Sequence, residues 1–148
     1  MIKISTDAAF NPKTQESGIG IQINHGQQQE LIKIHISEVM DNHVAEFLAL
    51  IGALNYVKTH LDINQIIMYQ SDSKIVIQSI EKKFAKNKEY KKLLDYILKI
   101  INDSPTFFAN WIPEAQNRGA DSLARQALRK EGKIAKDLKY SELELEQL

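Results

Sequence analysis

The chain has 148 residues, enough for one domain with a substantial core, and its 43% hydrophobic and 26% charged content is ordinary for a globular protein. It has no Cys, which excludes disulfides, thiolate metal sites and cysteine nucleophiles. Its 19 basic and 19 acidic residues give a formal net charge of zero, which argues against a surface that is basic throughout.

Taken in chain order, "MIKIST" alternates Ile2 and Ile4 with polar residues, the period of a half-buried strand. "SGIGIQI" and "QELIKIHIS" repeat that pattern after the turn-like "NPKTQES" and "NHGQ", so the first three runs read as an antiparallel meander. "NHVAEFLALIGALNYV" (42–57) has no breaker and is rich in Ala and Leu, which predicts a helix. Val44, Phe47, Leu48, Ile51 and Leu54 fall on one side of it and Leu50, Val57 and Leu61 on another, so it should be buried on more than one face. Its one charged residue is Glu46, which in such surroundings needs a compensating partner.

"QIIMYQS" predicts a fourth strand, 73–84 and 88–102 two helices, and "TFFANWI" a fifth strand after Ser104-Pro105. A last helix should start near Asn117 and run to Gly132, leaving residues 133–148 as a loose acidic tail. The order implies an α/β fold with a mixed five-stranded sheet, three antiparallel strands then parallel ones joined by helical crossovers. The N-terminus carries no signal-peptide pattern, and the longest uncharged apolar stretch, 47–57, is too short to span a bilayer. A cytoplasmic protein with no membrane partner is expected.

Four acids acquire meaning from this topology. Asp7 follows the first strand and Asp72 ends the fourth, so a parallel pairing of those strands places both on one edge. Glu46 in the first helix and Asp121 in the first turns of the last reach the same region. Each has a plainer reading: turn former for Asp7, helix N-cap for Asp72, helix-dipole partner for Asp121, capping or snorkelling for Glu46. Together, four clustered acids repel unless a cation intervenes, and oxygen-only ligands point to a hard ion such as Mg²⁺ or Mn²⁺.

The pieces "STDAAFNP…SGIG", "DNHVAEFLAL", "YQSDSKIVIQSI" and "WIPEAQNRGADSLARQA", in this order from Ile2 to about Leu128, resemble the ribonuclease H type I family. The resemblance implies a ribonuclease H-like domain over 1–132 and a metal-dependent endonuclease that cuts the RNA strand of an RNA/DNA hybrid. Asp7, Glu46, Asp72 and Asp121 would be both the catalytic residues and the ligands of two Mg²⁺ ions, with Mn²⁺ the alternative and Asp7 bridging. Glu46 would also lie near a ribose, and the products would carry 5′-phosphate and 3′-hydroxyl ends. Asn11 and Asn42 match positions along the hybrid's minor groove. Ser73, which follows the third acid as in the family's "DS", is equally explained as a helix cap. A monomer is expected.

The chain departs from the family pattern at several points. "WIPEAQNRGAD" has no His where many members carry a flexible one, Ala8 replaces a common Gly, and "EKKFAKNKEYKK" (81–92) lacks the length and Trp of the basic protrusion. That stretch reads as a solvated helix face, His43 as a surface or cap residue, and Glu114 as an aid to metal exchange. A non-catalytic binding module of the same fold, or a nuclease for another polynucleotide, are the alternatives.

Overall fold

The computed structural model describes residues 1–102, 104 and 106–148. Three long strands open the chain, β1 (Ile2–Asn11), β2 (Glu16–His25) and β3 (Gln28–Ser37), followed by α1 (Asn42–His60), β4 (Ile67–Ser71), α2 (Lys74–Lys82) and α3 (Lys88–Ile101). Then come β5 (Phe107–Trp111), a 3₁₀ turn (Glu114–Gln116), α4 (Arg118–Leu128) and β6 (Lys136–Lys139). The sheet order is β5-β4-β1-β2-β3-β6, with β1–β2 and β2–β3 antiparallel and the other pairs parallel. The mixed α/β sheet is therefore as expected, but it has six strands rather than five.

The sixth strand comes from the segment read as a loose tail. Lys136–Lys139 pairs in parallel with Ile34–Ser37, and His35 is held between two carboxylates, its Nδ1 2.9 Å from Asp137 Oδ1 and its Nε2 2.8 Å from Glu16 Oε2. Beyond it Leu148 is buried and Asn55 Nδ2 donates to the Leu145 carbonyl, which fastens these last residues against α1. Only Leu138 of the strand is even partly buried, so backbone pairing supplies what an apolar pattern does not.

The core lies between the sheet and α1. Ile2, Ile4, Ile19, Ile21, Ile23, Ile34 and Ile36 are buried, and α1 buries Phe47, Leu48, Leu50, Ile51, Leu54 and Val57 around its whole circumference. Asp41 caps that helix, accepting from Val44 N at 2.8 Å through one oxygen and from the Tyr90 hydroxyl at 2.7 Å through the other. α4 packs closely over β2. A Cβ at Gly20 would lie 2.6 Å from the Ala124 nitrogen and 2.8 Å from Leu123 Cβ, and one at Gly18 would lie 2.8 Å from Leu128 Cα. The "SGIG" run thus leaves the gap in which the helix backbone rests. α4 ends at Leu128 rather than reaching Gly132, and Lys130 turns into the left-handed region at φ 54°.

Residues 81–92 span the end of α2 and the start of α3, with every lysine among them exposed, in keeping with a solvated face. The breaker expected at Ser104-Pro105 falls partly outside the described residues. Among the described residues, no helix is long and apolar enough to cross a membrane.

Candidate active site

Strand register places the first two acids. Ser5 pairs with Gln70 in the parallel β1–β4 ladder, and two residues further along the same register Asp7 stands beside Asp72. Asp7 lies within β1 rather than after it, because the strand continues to Asn11 in its pairing with β2. Glu46 arrives from the second turn of α1. One carboxylate oxygen from each of Asp7, Glu46 and Asp72 lies within 4.8 Å of the others.

Asp121 reaches the same cleft by a different route. Asn117, buried at the start of α4, donates from Nδ2 to the Thr6 carbonyl at 2.8 Å and so ties the helix to β1 one residue before Asp7. Asp121 sits one turn later and lines the cleft, but its oxygens turn to Arg125: Nε meets Oδ1 at 3.2 Å and Nη2 meets Oδ2 at 3.2 Å. The cleft has a volume of about 400 Å³, and Ala8, Asn42, Trp111 and Glu114 complete its lining.

Burial, then the charge of Asp72, pushes the Asp7 carboxyl up to about 8 from an ordinary 3.8; the nearby Asp121 adds to the rise and a hydrogen bond from Ala8 N opposes it. Burial also raises Asp72, with Glu114 and Asp121 as like-charged neighbours. Glu46 is raised by burial too, but Ser73 and His43 pull it back. Its side chain is 14% exposed and has three partners: Ser73 Oγ donates to Oε2 at 2.6 Å, Asn42 Nδ2 reaches Oε1 at 3.3 Å, and His43 Nδ1 lies 3.4 Å from Oε2. The protein itself thus supplies part of the compensation that a lone carboxylate in an apolar helix demands.

Ser73 both caps α2, accepting from Val76 N, and donates to Glu46. Its hydroxyl is directed at an acid, and it does not line the cleft. Asn42 does line it, and Asn42 Oδ1 is buried without a hydrogen-bond partner. Asn11 lies at the far end of β1, outside the cleft lining, where its Oδ1 accepts from Lys13 N at 2.9 Å. His43 is largely exposed and stands edge-on to Tyr90.

Two neighbours of the acids were not singled out in the sequence. Trp111, at the end of β5, donates from Nε1 to the Asp72 carbonyl at 3.1 Å, and Lys74 Nζ lies 5.2 Å from the ring centroid. Arg125 could have been suspected from its place four residues after Asp121 on one helix. Trp111 carried no comparable local signal.

Known proteins share this fold. The family model described as reverse transcriptase-like matches residues 5–127. The chain belongs to that family. A curated relative from Enterococcus faecalis (strain ATCC 700802 / V583), "Putative hydrolase EbsB", is 40% identical over 130 residues, covering 88% of this chain and 96% of its own. Among solved structures, LC11-RNase H1 in complex with RNA/DNA hybrid is 25% identical with a TM-score of 0.79, covering 88% of this chain and 98% of its own. RNase H1 from the halophilic archaeon Halobacterium salinarum NRC-1, 20% identical with a TM-score of 0.73 over 87% of this chain and 98% of its own, shows the same fold. The reverse transcriptase-like chain therefore has the compact type 1 ribonuclease H fold that its four sequence pieces resemble.

Proposed function

We propose that this protein is a metal-dependent endonuclease that hydrolyses the RNA strand of RNA/DNA hybrids, leaving 5′-phosphate and 3′-hydroxyl ends. The observation that carries the reading is the convergence of Asp7, Glu46 and Asp72 within 4.8 Å on a cleft that Asp121 also lines. Three carboxylates so close, one of them pushed up to about 8, are an arrangement that a divalent cation relieves. All the donors are oxygens, which suits Mg²⁺ or Mn²⁺ and not zinc.

Asp7, Glu46 and Asp72, joined by Asp121, would hold two such ions. Bound there, the ions would supply activation of a water and charge stabilisation of the leaving oxygen. The chain's own groups position the rest. Ser73 and Asn42 hold the Glu46 carboxylate in place. Asn42 lines the cleft, and as a substrate contact it would meet the minor groove of the hybrid. Asn11 would contact only a substrate long enough to extend over the β1–β2 turn.

The similarity to a type 1 ribonuclease H structure in complex with an RNA/DNA hybrid supports the choice of substrate. An end-labelled hybrid incubated with Mg²⁺ or Mn²⁺ tests it directly. RNA-strand cleavage that needs the ion and is lost in Asp72→Asn is the expected result. Folded protein that cleaves nothing with either ion would overturn the enzyme assignment, and cleavage confined to another polynucleotide would overturn the substrate.

A further inference from the structure

Of the five acids lining the cleft, Asp121 alone among the described residues has both oxygens held by a cation. Arg125 Nε and Nη2 form a paired fork on its Oδ1 and Oδ2, each at 3.2 Å. Asp7, Glu46 and Asp72 lie with one oxygen apiece within 4.8 Å of each other, and Asp121 stands outside that set. Asp121 remains within side-chain reach of Asp7, and its charge bears on both Asp7 and Asp72. The Arg125 guanidinium therefore offsets a carboxylate that its neighbouring acids repel.

We infer that Arg125 is an internal counter-ion that competes with the second divalent ion for Asp121. The inference rests on the metal-dependent reading and adds to it a division of the acids into a ready-made trio and one held in reserve. Arg125 is 59% exposed and belongs to the same helix as Asp121, so it can swing into solvent without disturbing the core. The trio therefore sets the affinity of the first ion, and the Asp121–Arg125 pair lowers the affinity of the second. Arg125 is a positioning residue, since its fork acts on a ligand and not on substrate.

Mn²⁺ titration of the full-length protein, following free Mn²⁺ by electron paramagnetic resonance, separates the two sites without any need for turnover. Arg125→Gln should leave the tighter site alone and tighten the weaker one about two- to fivefold, the scale of an exposed ion pair. Arg125→Lys, which keeps the charge but loses the fork, should fall between that variant and wild type. Arg129→Gln removes the same charge from a guanidinium paired with Glu131 rather than with a cleft acid, and should change nothing.

In an Asp121→Asn background, Arg125→Gln should have no further effect. A weaker site that is unchanged or weakened by Arg125→Gln overturns the inference, as does equal tightening by Arg129→Gln. Wild-type protein that binds no Mn²⁺ overturns the metal reading and the inference with it. Binding by wild type without a response at Arg125 overturns the inference alone.

Discussion

The seating of α4 on β2 can be tested by one methyl group. In Gly20→Ala the new Cβ would stand 2.6 Å from the Ala124 nitrogen and 2.8 Å from Leu123 Cβ, with the Ala120 carbonyl nearer still. Non-bonded carbon contacts settle at about 3.5–4.0 Å, so the helix must withdraw by roughly 1 Å. Overpacking of this kind costs about 1–3 kcal/mol, and helix backbone cannot yield as a side-chain tip does. For a chain of this size each kcal/mol lowers Tm by about 2–4 °C, which predicts a fall of about 2–12 °C. The same displacement carries Asp121 with the helix, and a misplacement of about 1 Å near reacting groups costs on the order of 100-fold in rate.

A thermal melt and the hybrid-cleavage assay read the two effects separately. Gly52→Ala is the control: its Cβ would meet Ile21 Cδ1 at 3.2 Å and Ile34 Cδ1 at 3.4 Å, both ends of movable side chains. In α1 that change also gains up to about 1 kcal/mol of helix propensity, so Tm should hold or rise. A Gly20→Ala protein melting within about 2 °C of wild type and cleaving at full rate would refute the claim that glycine sets the position of α4.

Asp7 predicts how metal-free stability follows pH. Its carboxyl is raised from 3.8 to about 8 on folding, so the folded state disfavours the ionised form. Stability from this group is full below pH about 4 and is lost as pH rises toward 8. Melting temperatures in EDTA should fall over that window in wild type, fall less in Asp7→Asn, and recover in wild type when Mn²⁺ is added; equal slopes for the two proteins would contradict the reading. Ser73→Ala removes both the cap of α2 and the 2.6 Å donor to Glu46. It should cost about 1 kcal/mol, or roughly 2–4 °C of Tm, and weaken Mn²⁺ binding, whereas Ser73→Thr should retain most of both.

Much of this molecule can be read from residue order because its strands announce themselves by period. Ile2 and Ile4, then Ile19, Ile21 and Ile23, alternate as a buried face requires, and all five are in the core. Parallel pairing of the first and fourth strands was enough to bring Asp7 and Asp72 together. β6 escaped notice because Lys136–Lys139 offers a single apolar residue, and its attachment runs through backbone pairing and the Asp137–His35 contact. The role of Gly18 and Gly20 depends on what lies above them, about a hundred residues further along the chain, which local pattern does not encode. Likewise the Ser73 hydroxyl serves Glu46 only because two helices meet there.

The ladder between β1 and β4 also governs when the acids meet. Asp7, Glu46 and Asp72 come from separate elements, and their alignment depends on pairing residues as distant as Ile2 and Ile67. No short segment of the chain holds the trio, so an incompletely folded chain presents scattered carboxylates. The repulsion among them is felt only as the last long-range contacts close, which would make completion of the fold and capture of a divalent ion mutually reinforcing. An ion that binds the assembled site and not the open chain shifts the equilibrium toward the folded form by mass action. Assembly of the acid trio is in this way deferred until folding is done.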